Sequence, residues 1–165
     1  MKIHINDANI LIDLVHLDLV VPFLSLNFEL YTTDFVFAEL EQSQQLLLNS
    51  DQLIKLSSDV EDIQAIFNLS QENVGLSFED CSVWYFAKNR GGILITGDGK
   101  LRTKAKASGI EVKGIIYILE QIKEQNLLEV PVCIEKLKTL LQINSRLPIN
   151  EIEKRIQLWE NEINL

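Results

Sequence analysis

The stretch LSFEDCSVWYFAKNRGGILITGDGKLRTKAKASGIEVKG, residues 76–114, decides how this chain folds. Ser77 opens a helical pattern that runs to Asn89. Gly91-Gly92 ends it, because glycine tolerates the left-handed backbone that follows a helix. Gly92 to Thr96 (GILIT) then reads as a strand buried on both faces, the pattern of a central strand in a parallel sheet. Thr96-Gly97-Asp98-Gly99 turns the chain into a short basic helix, Lys100 to Ala107, ended by Gly109. Glu111 to Lys113 is a further short strand. Asp98 has two local readings. Asp beside Gly is ordinary turn chemistry. A carboxylate just after a strand also stands where open α/β sheets place their sites.

The alternation continues in both directions. Strands are expected at Lys2–Asn6, Phe28–Thr33 and Leu53–Leu56. A helical stretch should start at Ala8 and be broken or bent near Pro22, and Asp34 should cap another running through Glu39 towards Leu48. Asp59 to Leu69 places Val60, Ile63, Ile66 and Phe67 at helical spacing, and Ile115 to Gln125 is helical. Strands alternating with helices predict an α/β fold, a three-layer α/β/α sandwich around a short-stranded, mostly parallel sheet. The tail differs. Pro131 starts one amphipathic helix, and after Pro148 a second carries the seam Ile149, Ile152, Ile156, Trp159 and Ile163. The expected division is an α/β domain over residues 1–126 and a C-terminal helical extension over 127–165, packed on that domain or on a partner.

Composition narrows the class. At 165 residues, 47% hydrophobic and 24% charged, the chain can bury one substantial core. No apolar run approaches the ~20 residues that span a bilayer, so no membrane association is expected. The opening MKIHINDAN lacks the apolar core of a signal peptide. Cys81 and Cys133 form no CxxC pair and, with His4 and His16, no zinc spacing. Reduced core thiols and a cytoplasmic protein are the expectation. A net charge of −9 argues against holding nucleic acid by bulk charge. Residues 88–113 are the exception, with seven Lys and Arg against only Asp98 and Glu111. That segment is either a solvated helix face or an anion-binding lip beside Asp98.

Four acids fall at one end of the expected sheet. Asp7 follows the first strand and Asp98 the fourth; Glu39 lies one turn into the helix after the second; Asp80 lies three residues after Ser77. Each has a structural explanation: a helix cap for Asp7, a wet face for Glu39, a capping box for Asp80, a turn for Asp98. Packed together, they would repel and resist desolvation unless a cation offset them. Oxygen-only ligation suits Mg²⁺ or Mn²⁺. Such an ion can activate bound water and offset charge on a phosphodiester transition state. Other acidic α/β pockets fit less well. Asp7-Ala8-Asn9 is not the Asp-x-Asp of haloacid-dehalogenase phosphatases, the acceptor Asp and partnered Lys of receiver domains are missing, and no Walker A or G-x-G-x-x-G sequence occurs.

In these motifs the chain resembles the PIN-domain ribonucleases, above all their VapC-like toxin branch and related prokaryotic PIN proteins. INDANILIDL (residues 5–14) matches the opening signature, with Asp7 as first acid and Asn9 as its polar neighbour. FVFAEL (35–40) matches the second-acid segment with Glu39, and residues 76–114 carry Asp80, Thr96 and Asp98 in order. The tail LLQINSRLPINEIEKRIQLWE (140–160) is similar to tails in some of these relatives. The resemblance implies a parallel sheet with acids clustered at one end and metal-dependent cleavage of single-stranded RNA. It implies Asp7, Glu39, Asp80 and Asp98 as catalytic metal ligands, with Thr96 and Asn9 in support. The toxin branch implies an antitoxin that blocks the site, and homodimers. Lys100, Arg102 and Lys104 are the expected contacts to RNA phosphates. The alternative is a non-catalytic binding module on the same fold.

Overall fold

The computed structural model describes residues 1–164. Its sheet is built from β1 (Ile3–Asn6), β2 (Glu29–Thr33), β3 (Leu53–Leu56), β4 (Ile93–Ile95) and β5 (Val112–Lys113), in the order β3-β2-β1-β4-β5. Every pairing is parallel, so "mostly parallel" becomes wholly parallel among the described strands. The register of the central pair sets Ile5 beside Leu94 and Asn6 beside Ile95. Ile5, Leu94 and Ile95 are fully buried, which is why this pair reads as near-continuous apolar sequence.

Parallel strands need crossovers, and the intervening helices supply them. They are α1 (Ala8–His16), α2 (Val20–Leu24), α3 (Asp34–Glu39), α4 (Gln42–Leu48), α5 (Val60–Glu72), α6 (Phe78–Arg90) and α7 (Gly99–Ala107). Right-handed crossovers put α1, α2 and α4 on one face and α5–α7 on the other, while α3 contacts both α1 and α6. α6 is the central helix of its layer. Cys81 to Trp84, Phe86 and Ala87 are all buried, and it packs on β1, β2 and β4. Gly91 caps it in the left-handed conformation (φ 63°). Gly92 then runs close beside β1, where an added Cβ would lie 2.9 Å from the Ile3 side chain.

Helices α8 (Ile115–Glu124), α9 (Val130–Ile143) and α10 (Ile149–Ile163) complete the chain. α9 packs on α8 through buried Cys133, Ile134, Leu137 and Leu140, and α10 packs on α9 through Ile152 and Trp159. Ile149 and Ile163, the ends of the α10 seam, are exposed. Both cysteines are free and buried. No helix among the described residues is long and apolar enough to cross a membrane.

The first helix breaks near Pro22, at Leu17–Leu19, where Asp18 turns left-handed (φ 54°); Pro22 itself sits within the first turn of α2, which tolerates it. Two local expectations need correction. Thr33 rather than Asp34 caps α3, and the expected single helix splits into α3 and α4 around extended Leu40 and Glu41. On α5 only Ile66 is fully buried, while Val60, Ile63 and Phe67 are exposed.

His4 of β1 lies wholly inside the protein, its ring 4.1 Å from Phe28 and its Nε2 2.9 Å from the Tyr117 hydroxyl. Burial pushes its pKa down from 6.5 to about 4. Between those values the unfolded chain binds a proton that the folded chain refuses. His4 therefore removes stability as pH falls from 6.5 towards 4, by about 3 kcal/mol across the window. Urea unfolding at pH 7, 6, 5 and 4.5 measures this, and His4→Phe should abolish that component; an unchanged slope in the variant would refute it.

Candidate active site

The strand order reverses at β1, since β2 and β3 lie to one side and β4 and β5 to the other. The crevice beyond the carboxyl ends of β1 and β4 is the place such sheets bind ligands. Asp7 ends β1 and is tied to β4 by its own N–H, which donates to the Ile95 carbonyl at 2.9 Å. Its side chain is 3% exposed. Oδ1 accepts from Ala8 N–H at 2.8 Å, so Asp7 caps α1. Oδ2 accepts from the Thr96 hydroxyl at 2.7 Å and, at a long 3.5 Å, from Asn9 Nδ2. The Thr96 oxygen also accepts from Asp98 N–H at 3.1 Å, and Asn9 Oδ1 accepts from Gly97 N–H at 2.9 Å. Thr96 and Asn9 thus fasten the Gly97-Asp98 turn to Asp7. Asp98 caps α7, its Oδ1 accepting from Leu101 N–H at 2.9 Å.

The other acids arrive on α3 and α6. Ser77 and Asp80 form a reciprocal capping box, Asp80 N–H donating to Ser77 Oγ at 3.0 Å and Ser77 N–H to Asp80 Oδ2 at 2.9 Å. The Thr33 hydroxyl caps α3 through Val36 N–H at 3.1 Å and shares a 2.8 Å hydrogen bond with Ser82 of α6. Phe35 meets Phe78 edge-on at 4.8 Å. These contacts lash α3 to α6 and set Glu39 in the field of Glu79 and Asp80. Glu79 is a fifth acid that sequence reasoning missed. Its only signal was adjacency to Asp80 in the first turn of α6.

The carboxylates act on one another. Burial, then the charges of Asp80 and Asp98, push Asp7 up to about 6 against the pull of the Thr96 and Ala8 hydrogen bonds. Glu39 is more exposed than Asp7; partial burial, then the charges of Glu79, Asp7 and Asp80, push it up to about 7. The donors are all hard oxygens. Asp80 and Asp98 each give one carboxylate oxygen to a backbone cap, which fixes their direction and leaves the second oxygen uncommitted. Among the described residues no three His, Cys, Asp or Glu side chains form a ready-made ligand cage. Oxygen donors that repel one another while standing apart fit a cation that retains much of its water, which is the habit of Mg²⁺.

The basic helix α7 divides its charges. Leu101 and Ala105 are buried, which sends Lys100 and Lys104 to one flank and Arg102 and Lys106 to the other. Lys100 reaches over Gly75, its Nζ 1.9 Å from where a Cβ would stand there. Arg102 Nη2 donates to the Thr96 carbonyl at 3.3 Å, directly behind the acid turn. The three expected phosphate contacts therefore do not form one row.

A family model described as PIN domain (DUF3368) matches residues 3–161. No curated protein sequence matches the chain. Among solved structures, PAE2754 from Pyrobaculum aerophilum is similar at a TM-score of 0.57 and 18% identity, over 73% of this chain and 96% of that one. VapBC2 from Rickettsia felis, solved bound to a DNA fragment from its promoter, is similar at a TM-score of 0.50 and 13% identity, over 68% of this chain and 98% of that one. At these identities the structures speak for the fold, and the family model, which spans nearly the whole sequence, speaks for kinship. The chain belongs to the PIN-domain family, whose members are generally nucleases.

Proposed function

We propose that this protein is a metal-dependent endoribonuclease that cleaves single-stranded RNA and serves as the toxin of a toxin–antitoxin pair in the cytoplasm. The observation that carries the reading is the placement of Asp7, Glu39, Asp80 and Asp98 at one end of the sheet, where burial first, and then the charges of neighbouring acids, raise the pKa of Asp7 and Glu39. These four residues would hold Mg²⁺ or Mn²⁺. When bound, the ion supplies an acidified water and positive charge for a phosphodiester transition state. The chain's own groups do the positioning. The Thr96 hydroxyl fixes Asp7 Oδ2, Asn9 holds the Gly97 turn, and the caps of α6 and α7 aim the free oxygens of Asp80 and Asp98. Arg102, anchored on the Thr96 carbonyl, stands ready for a phosphate beside the acids.

A second reading, a PIN-fold module that binds proteins without catalysis, draws on exposed apolar side chains. Leu46 and Leu47 of α4, Ile54 of β3 and Val60 of α5 are large and solvent-facing. An antitoxin or a second copy of the chain would cover such residues, so the reading also serves the toxin role. Incubation with a mixed single-stranded RNA pool, with Mn²⁺ or with EDTA, separates the two. The nuclease reading expects cleavage with Mn²⁺ only, together with a Mn²⁺ titration signal in calorimetry. Neither cleavage nor binding would leave the module reading standing.

A further inference from the structure

We propose that the C-terminal extension completes the substrate site: the α9–α10 linker and the Arg102/Lys106 flank of α7 form a track for the phosphodiester chain of single-stranded RNA, leading away from the acids. The proposal rests on the nuclease reading and adds to it a path and a role for residues beyond 126.

Two clefts adjoin one another beside the turn that carries Asp98, and none of the four acids itself lines either one. The first, about 210 Å³, begins at Gly97 and Gly99 on either side of Asp98 and passes between Arg102 and Arg146. The second, about 270 Å³, opens onto Lys106, Lys113 and Arg155. They share Arg102, Gly114, Ile115, Leu147 and Pro148, so one leads into the other. Leu147 and Pro148 belong to the α9–α10 linker, which forms one wall of both.

Charge along this path is opposite to that of the whole chain. Five cations line it, in a protein of net charge −9, against three acids: Asp13, Glu120 and Glu151. Two of those acids are already engaged. Glu120 bonds Arg155, and Asp13 accepts from Asn144 Nδ2 at 3.2 Å, which ties the linker to α1. Among the described residues, Arg102, Lys106, Lys113 and Arg146 have no salt bridge. An acidic chain that gathers unpaired cations along a groove beginning at its acid turn is arranged for a polyanion entering that turn.

The junction of the clefts is shaped for close approach. An added Cβ at Gly114 would lie 2.8 Å from Arg102 Nη2, so the bare backbone is what lets the guanidinium lie there. Gly114 also caps α8 without a side chain, and Ile115, the first residue of that helix, lines both clefts. The open N–H groups of this ten-residue helix add to the positive potential.

The test compares wild type with Lys106→Gln/Lys113→Gln/Arg146→Gln, three positions outside the core, after matched thermal melts establish that both fold. Fluorescence anisotropy in EDTA gives Kd for single-stranded RNA of roughly 12 and roughly 4 nucleotides, within the usual span of single-strand sites, at several salt concentrations. The longer RNA should bind about tenfold more weakly to the variant, and the slope of log Kd on log salt should fall by about 2, near 0.7 per lost phosphate contact. Binding of the shorter RNA, and its Mn²⁺-dependent cleavage, should hold. Equal affinity and slope for the longer RNA would overturn the track, as would failure of wild type to bind that RNA. Weakened binding confined to a polyglutamate peptide would assign the groove to an acidic protein partner and overturn it as well. Loss of the salt slope in a protein that cleaves neither RNA would support the track while removing the nuclease reading.

Discussion

Asp80→Asn should lower Mn²⁺-dependent RNA cleavage by at least about a hundredfold, since even the partners of metal ligands are worth about 10- to 100-fold. The same variant should keep its fold. Asn at this position retains an oxygen for the Ser77 N–H, and its own N–H still meets the Ser77 hydroxyl, so the box that starts α6 survives. What disappears is one negative charge and the uncommitted oxygen. Ser77→Ala supplies the converse. It removes the cap at about 1 kcal/mol of stability and leaves the Asp80 carboxylate in place, so cleavage should fall far less than in Asp80→Asn. Initial rates on a fluorescent RNA and thermal melts of both variants check the pair. Wild-type cleavage by Asp80→Asn would sink the metal-site assignment and leave Asp80 a capping residue alone.

The second large effect concerns stability. Asp7→Asn should stabilise the metal-free protein at pH 7 by about 3 kcal/mol, or about 6–12 °C in melting temperature for a domain of this size. The sign follows from the direction of the shift. Asp7 is raised from 3.8 to about 6, so the folded state binds its proton more tightly than the unfolded chain does. That stability is fully present below pH 3.8 and lost as pH rises through about 6. His4, lowered to about 4, acts with opposite sign over nearly the same range. In wild type the two slopes oppose each other. Glu39, raised to about 7, slopes the same way as Asp7, so Asp7→Asn should make stability fall less steeply, or rise, with pH between 4 and 6.5 relative to wild type, and His4→Phe should make it fall more steeply. Mn²⁺ should raise the melting temperature of wild type and not of Asp7→Asn, because only a ligand that binds the folded state stabilises it. A less stable Asp7→Asn at pH 7 would mean that the cap on α1 and the Thr96 bond outweigh the burial of charge.

Much of the sheet was legible because its signals are local. Ile93 to Ile95 are apolar on both faces, Gly91 closes α6, and the strand windows of β2 and β3 stand between turn-forming residues. Features that depend on distant partners were not. The break in the first helix falls at Asp18, ahead of Pro22, with Leu17 and Leu19 buried in the core on either side of it. Val60, Ile63 and Phe67 have helical spacing yet stay outside, because only the Ile66 face of α5 meets α6. The acids show the limit most clearly. Capping and metal-binding readings of Asp80 and Asp98 looked like rivals, but a carboxylate has two oxygens, and the structure commits one of each to a cap. Glu79 was illegible, because its meeting with Glu39 depends on the Thr33–Ser82 contact between two helices far apart in sequence.

The pairing of β1 with β4 also sets a clock. The Thr96–Asp7 hydrogen bond and the Asp7–Ile95 backbone bond close across almost ninety residues of chain, and such long-range parallel pairing forms late. On a ribosome moving at about 5–20 residues per second, Asp7 is made roughly 5–20 s before Asp98. Throughout that interval, and in every product of interrupted translation that stops short of β4, the acids have no common site. A protein whose finished form cuts RNA would thus stay inert towards the message being read until its synthesis is well advanced.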